Sequence, residues 1–134
     1  MNTIDLTKSI KSKAREIGFQ KIGISSPTEA LMYNEYYDNW LASDKNGTMQ
    51  WLENRKEERK DVNKYFLGVK SVISVAINYF TGISDEIVAN RKQTHKFSNY
   101  AWGKDYHIVV KQKLNELLDY IKNELNQDTN GIVS

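Results

Sequence analysis

The chain has 134 residues, 40% of them hydrophobic and 27% charged, which suits one folded domain and excludes two of ordinary size. Nineteen Lys and Arg against 17 Asp and Glu leave a net charge of +2, too small to argue for nucleic acid or an anionic membrane as a partner. With no cysteine, these residues cannot form a disulfide, a thiolate zinc site, a cysteine nucleophile or a cysteine-ligated iron–sulfur cluster.

The longest apolar-leaning run, residues 72–80, is interrupted by Ser74 and Asn78 and is less than half the roughly 20 residues a membrane helix needs. Residues 1–9 carry Asp5 and Lys8 and lack the apolar block of a signal peptide. The expectation is a cytoplasmic protein without a membrane span.

Leu6, Ile10, Ala14 and Ile17 recur at helical spacing, and Gly18 stands where a left-handed C-cap is wanted. Residues 20–25 follow as a half-buried strand, with Ile22 and Ile24 alternating against Lys21 and Gly23. Ser26-Pro27-Thr28-Glu29 has the pattern of a capping box, so a second helix is expected from Pro27 to Ser43. It places Met32, Tyr36 and Trp40 on one face, for core packing or for a cofactor pocket, and ends at Asp44-Lys45-Asn46-Gly47. Met49, Trp51 and Leu52 suggest one more short helical turn.

Residues 55–64 mix five basic with three acidic side chains and read as a solvated connector, with phosphate binding as the minor alternative. Residues 71–79 are β-branched and apolar on both faces, as in a central strand covered on both sides. Residues 81–94 are polar and aperiodic and read as a long surface loop. Residues 106–125 form the strongest helix, its apolar face made by Val110, Leu114, Leu117, Leu118, Ile121 and Leu125, with Asp105 as N-cap. Ile132-Val133-Ser134 resembles the start of another strand.

Glycine-rich phosphate loops, Gly-x-Ser-x-Gly and His-x-x-x-His are all absent. His95 and His107 are too few for a metal site, which wants three or four ligands, and each suits a structural hydrogen bond. The densest block runs from Lys96 to His107, with four aromatics, a glycine and several ionisable groups ahead of a helix N-terminus. It reads equally as a ligand-contacting loop or as local structure, in which Asp105 caps, Gly103 turns, and Tyr100 and Trp102 pack on the sheet.

Within that block, Ser98-Asn99-Tyr100-Ala101-Trp102-Gly103-Lys104-Asp105-Tyr106-His107 resembles the Ser-Arg-Tyr-Ala-x-Gly-x-Asp-Tyr-His signature of epoxyqueuosine reductases. The resemblance extends to Glu16-Ile17-Gly18-Phe19-Gln20-Lys21-Ile22-Gly23-Ile24, to Gly47-Thr48-Met49-Gln50-Trp51-Leu52, to Arg59-Lys60-Asp61 and to Leu67-Gly68-Val69-Lys70-Ser71-Val72-Ile73, in the family's order.

The resemblance implies an oxidoreductase that reduces epoxyqueuosine to queuosine in tRNA with cobalamin, fed by two 4Fe-4S clusters on cysteine motifs in a following ferredoxin-like part. It implies cobalamin contacts for Arg59 and Ser98, with Tyr100 and His107 as further cofactor-binding candidates from the same signature. Neither cluster has ligands here, and the family's proton-donating aspartate is expected just beyond Ser134, so no catalytic residue is assigned. Asp105 is not promoted to general acid, because an N-cap carboxylate is in use and stays ionised. Two departures stand out: Asn99 replaces the usual arginine, and Val62 replaces a proline.

The sequence therefore leads to an α+β fold, a small mixed sheet with packed helices. Residues 1–134 are read as one N-terminal domain of an epoxyqueuosine reductase-like protein, truncated before the cluster domain, monomeric and inactive alone. Partners are tRNA, as substrate of the parent protein, and no membrane. The alternative is a freestanding module that binds a corrinoid or another small ligand without catalysis.

Overall fold

The computed structural model describes residues 3–80, 82, 89, 97–125 and 129–134. The expected loop over 81–94 falls outside them apart from Gly82 and Ala89, as do His95 and Lys96. Helix α1 (Thr3–Ile17) leads to strand β1 (Lys21–Ser25), a 3-10 turn (Glu29–Tyr33) and α2 (Asn34–Ala42). A second 3-10 turn (Gln50–Leu52), the short helices α3 (Lys56–Lys60) and α4 (Val62–Tyr65), and β2 (Val72–Ala76) follow. A third 3-10 turn (Asn99–Ala101) precedes the long helix α5 (Tyr106–Glu124). The fold is α+β. Among the described residues the strands form one antiparallel pair, with the N–H of Gln20, just ahead of β1, donating to Ala76 O at the end of β2.

The chain divides into two compact units, one made of Met1–Ile22 with Val75–Ser134 and the other of Gly23–Ser74. The first holds the apolar core. Ile10, Ala14 and Ile17 of α1 are buried with Phe19, and Leu117 and Ile121 of α5 complete the set where the two helices pack. These are the stripes that the helical spacing predicts. Phe19 is 2% exposed, and burial of a side chain that size contributes about 1.5–3 kcal/mol.

Helix α1 ends in a Schellman motif: Gly18 N donates to Arg15 O and Phe19 N to Ala14 O, with Gly18 at φ +106°. The apolar residue after the glycine, Phe19, thereby enters the core beside Ala14, which is itself fully buried. From α5 the Lys113 ammonium donates to Ile17 O, satisfying another of the carbonyls a helix end leaves free.

The second unit differs from expectation in three respects. The predicted single helix from Pro27 to Ser43 begins instead as a 3-10 turn and becomes α-helical only at Asn34. Ser26 Oγ accepts from Thr28 N at 3.3 Å, while the side chain of Glu29, the other half of the expected capping box, lies outside the described residues. The expected stripe of Met32, Tyr36 and Trp40 thus starts in the 3-10 turn and continues in α2. Met32 is 72% exposed and Tyr36 74%, so this stripe is not core.

Residues 55–64 form two short helices rather than a connector. Lys60 reaches back to Asp38 at 2.6 Å, Lys64 pairs with Glu57 at 2.7 Å, and Arg55 with Glu58. Asp61 caps α4 by accepting from Asn63 N at 3.0 Å, which makes Val62 the first residue of that helix.

Among the described residues strand β2 has one neighbouring strand, and Val72, Ile73 and Val75 are half-buried rather than covered on both faces. The alternation of half-buried and exposed residues along β2 leaves Ser74 and Ala76 exposed, so the strand is not covered on both faces as the apolar run suggested. Residues 132–134 are not in a strand either. They follow Gly131, whose backbone lies so close to α5 that an added Cβ would sit 2.7 Å from Leu118 Cδ1.

Candidate functional site

The signature segment lies in the first unit and is built by short-range hydrogen bonds. Ser98, extended at φ −60° and ψ 144°, opens the third 3-10 turn, and its carbonyl accepts from Ala101 N at 2.9 Å. Asn99 O accepts from Trp102 N, and the Trp102 indole N–H donates to Phe97 O at 3.1 Å. Gly103, at φ +82°, then reverses the chain into α5. The Ser98 side chain makes no capping bond and the residue is exposed.

Asp105 is the N-cap of α5, as the sequence predicts. Its Oδ1 accepts from His107 N at 2.9 Å and contacts His107 Nδ1 at 2.8 Å. The His107 main-chain N–H and then its ring hold the Asp105 carboxyl below the usual carboxylate range. An ionised cap is no general acid, in agreement with leaving Asp105 out of that role.

Four rings meet around this cap. His107 stacks on Tyr106 with centroids 4.0 Å apart and planes 29° from parallel. Tyr106 meets Tyr100 edge-on at 5.8 Å, and Tyr100 meets Tyr79 edge-on at 6.3 Å. The tyrosines are nonetheless about half exposed: Tyr79 61%, Tyr100 51% and Tyr106 45%. Tyr100 therefore does not pack away on the sheet; it stands in an open aromatic wall. Tyr79 and Tyr106 are members that the sequence reading did not single out. Tyr106 was visible inside the signature, whereas Tyr79 joins from the end of β2 and carries no local signal.

Arg59 belongs to the second unit. It lies on α3, exposed, with its guanidinium 5.1 Å from the Trp51 ring centroid. The other cations of residues 55–64 are largely committed: Arg55, Lys60 and Lys64 are paired, and the Asp38 carboxylate holds the Lys60 ammonium above its ordinary value. Lys64, in turn, holds the Glu57 carboxyl below its own. Three of five positive charges are thus matched, which weakens a phosphate-binding reading of the segment and leaves Arg59 presented on an aromatic face. Of the four sequence-predicted residues, Ser98, Tyr100 and His107 fall on one short segment of the first unit, and Arg59 is placed by a different one.

The family model described as epoxyqueuosine reductase QueG, DUF1730, matches residues 59–133, more than half of the chain and including all four candidates. The chain belongs to the epoxyqueuosine reductase QueG family. Curated epoxyqueuosine reductases align with nearly all of it. That of Atelocyanobacterium thalassa (isolate ALOHA) is 38% identical over 122 residues, covering 90% of this chain and 38% of its own length. That of Cyclobacterium marinum is 33% identical over 128 residues, covering 95% and 40%, and that of Pseudomonas aeruginosa 30% identical over 122 residues, covering 90% and 33%. The chain thus spans two fifths or less of the length of these reductases. No solved structure matches. Among the described residues, no helix is long and apolar enough to cross a membrane.

Proposed function

We propose that this chain is the N-terminal part of an oxidoreductase that reduces epoxyqueuosine to queuosine in tRNA, and that it forms one side of a cobalamin site. The observation that carries the reading is the aromatic wall built on the family signature, in a chain aligned over about 90% of its length with reductases of that name.

The side chains present fit a corrinoid. Its flat ring needs apolar walls, its rim of primary amides needs hydrogen-bond partners, and its phosphate suits a guanidinium. Tyr79, Tyr100 and Tyr106 offer exposed ring faces with hydroxyls at the edge, Ser98 an uncommitted hydroxyl and exposed backbone, and Arg59 a guanidinium outside the ion pairs of its helix. In this reading Ser98 holds the cofactor and Tyr100 and His107 border it; Arg59, on the second unit, is proposed as a cofactor contact on its own guanidinium alone. When bound, cobalamin supplies the reducing centre; removal of the epoxide oxygen consumes two electrons and two protons and releases water and the alkene.

None of these residues is assigned as proton donor, and clusters and general acid are assigned to the part of the reductases that this chain does not span. The chain's own contribution is to bind, to orient, and to exclude water from one face of the ring.

Deleting the gene in its host and weighing the nucleosides of digested tRNA tests the reaction. Epoxyqueuosine, one oxygen heavier than queuosine, accumulates if the proposal holds. Unchanged queuosine contradicts it.

A further inference from the structure

Asp105 Oδ1 accepts from the His107 main-chain N–H at 2.9 Å and sits 2.8 Å from His107 Nδ1. An ionised carboxylate has no proton to give, so the proton in the second contact belongs to the imidazole. In the neutral ring this leaves the lone pair on Nε2. That nitrogen has no partner among the described residues, and the His107 side chain is 71% exposed. The stack on Tyr106, with planes 29° from parallel, and the bond to Asp105 together fix the plane of the ring and its rotation within that plane. Capping α5 needs only the main-chain contact; the contact to the ring is additional and orients it.

We propose that Asp105 is a positioning residue that holds His107 as the Nδ1–H tautomer, so that Nε2 accepts a hydrogen bond from a neutral donor on the bound group, a primary-amide N–H. The amide as donor rests on the corrinoid reading above; the tautomer does not. The tautomer sets specificity: Nε2 with a lone pair selects an N–H on the ligand, whereas Nε2–H would select a carbonyl. The same carboxylate thus orders the first turn of α5 and sets which ring nitrogen is open to a ligand.

The test uses the 15N-labelled chain carrying His95→Gln, which leaves His107 as the single histidine. Two-bond proton–nitrogen correlations, recorded with the imidazole neutral, read the tautomer directly. Asp105→Ser and Asp105→Asn both keep a good N-cap, so α5 survives in each. The proposal expects the Nδ1–H form in the unsubstituted chain and in Asp105→Asn, whose carbonyl still accepts, and a shift to the Nε2–H form in Asp105→Ser. An Nε2–H ring in the unsubstituted chain, or an unchanged tautomer in Asp105→Ser, overturns it.

Titration with cobalamin tests the ligand. His107→Phe keeps the stack and removes the acceptor, and is expected to weaken binding about fivefold to tenfold, with no further loss when Asp105→Ser is added. Equal affinity for His107→Phe overturns the amide contact. Failure of the unsubstituted chain to bind cobalamin removes the corrinoid reading, and the tautomer measurement still decides the role of Asp105.

Discussion

Lys113, on α5, donates its ammonium to the main-chain carbonyl of Ile17, where α1 ends. The bond joins the two helices that supply most of the core, and it places a cation at a helix C-terminus, where the macrodipole favours one. Lys113→Met keeps most of the half-buried stem and removes the donor. The expected loss of stability is about 1–2 kcal/mol, measured by urea denaturation of the purified chain. No change in midpoint would show that water replaces the ammonium at no cost.

The same corner constrains Gly18 twice. Its φ of +106° is strained for any residue with a Cβ, and that Cβ would sit 3.1 Å from Lys113 Nζ. Gly18→Ala should therefore destabilise by about 1–3 kcal/mol. Because Lys113 must also move aside, Gly18→Ala combined with Lys113→Met should cost less than the sum of the two, which a double-mutant cycle of denaturation midpoints reads.

Val62 is the first residue of α4, where proline's fixed φ and missing N–H are tolerated. Asp61 before it is extended, at φ −138° and ψ 106°, the conformation a following proline requires. Val62→Pro is expected to stabilise by about 0.4–1 kcal/mol through the unfolded state, read as a higher thermal midpoint. A lower midpoint would mean that the Val62 side chain packs more than its half-buried position suggests.

Asp105 gives the fold an acid-sensitive cap. Its carboxyl lies below the ordinary 3.8 in the folded chain, through the His107 main-chain N–H first and the ring second. A depressed carboxyl contributes stability that is fully present above the unfolded value and is lost as pH falls through the folded one. The thermal midpoint of the unsubstituted chain relative to Asp105→Asn, which cannot titrate, should fall as pH drops below about 3.8. No fall there would remove the cap from the acid response.

What the sequence made legible was mostly local. The stripe from Leu6 to Ile17, the glycine cap and the Asp105 cap depend on neighbours within a turn or two, and each is found where the spacing puts it. The segment after Pro27 differs from the single helix its pattern suggests because composition does not distinguish a 3-10 entry from an α-helical one, and apolar spacing alone does not say that Met32 and Tyr36 stay exposed. The pairing of Lys60 with Asp38 and the meeting of Tyr100 with Tyr79 span more than 20 residues in each case, and charge runs or motifs do not encode them. The signature located three of the four candidate residues on one segment, yet the openness of the wall they form was visible only in the folded chain.

The central proposal is that this chain binds a corrinoid and that Arg59 is one of its donors. Titrating the purified chain with cobalamin, following the visible spectrum and co-elution on gel filtration, tests it most directly. The account predicts saturable retention that Arg59→Ala weakens about tenfold or more, as loss of a charge-assisted hydrogen bond should. No retention at high micromolar cobalamin, or the same affinity with Arg59→Ala, would contradict it.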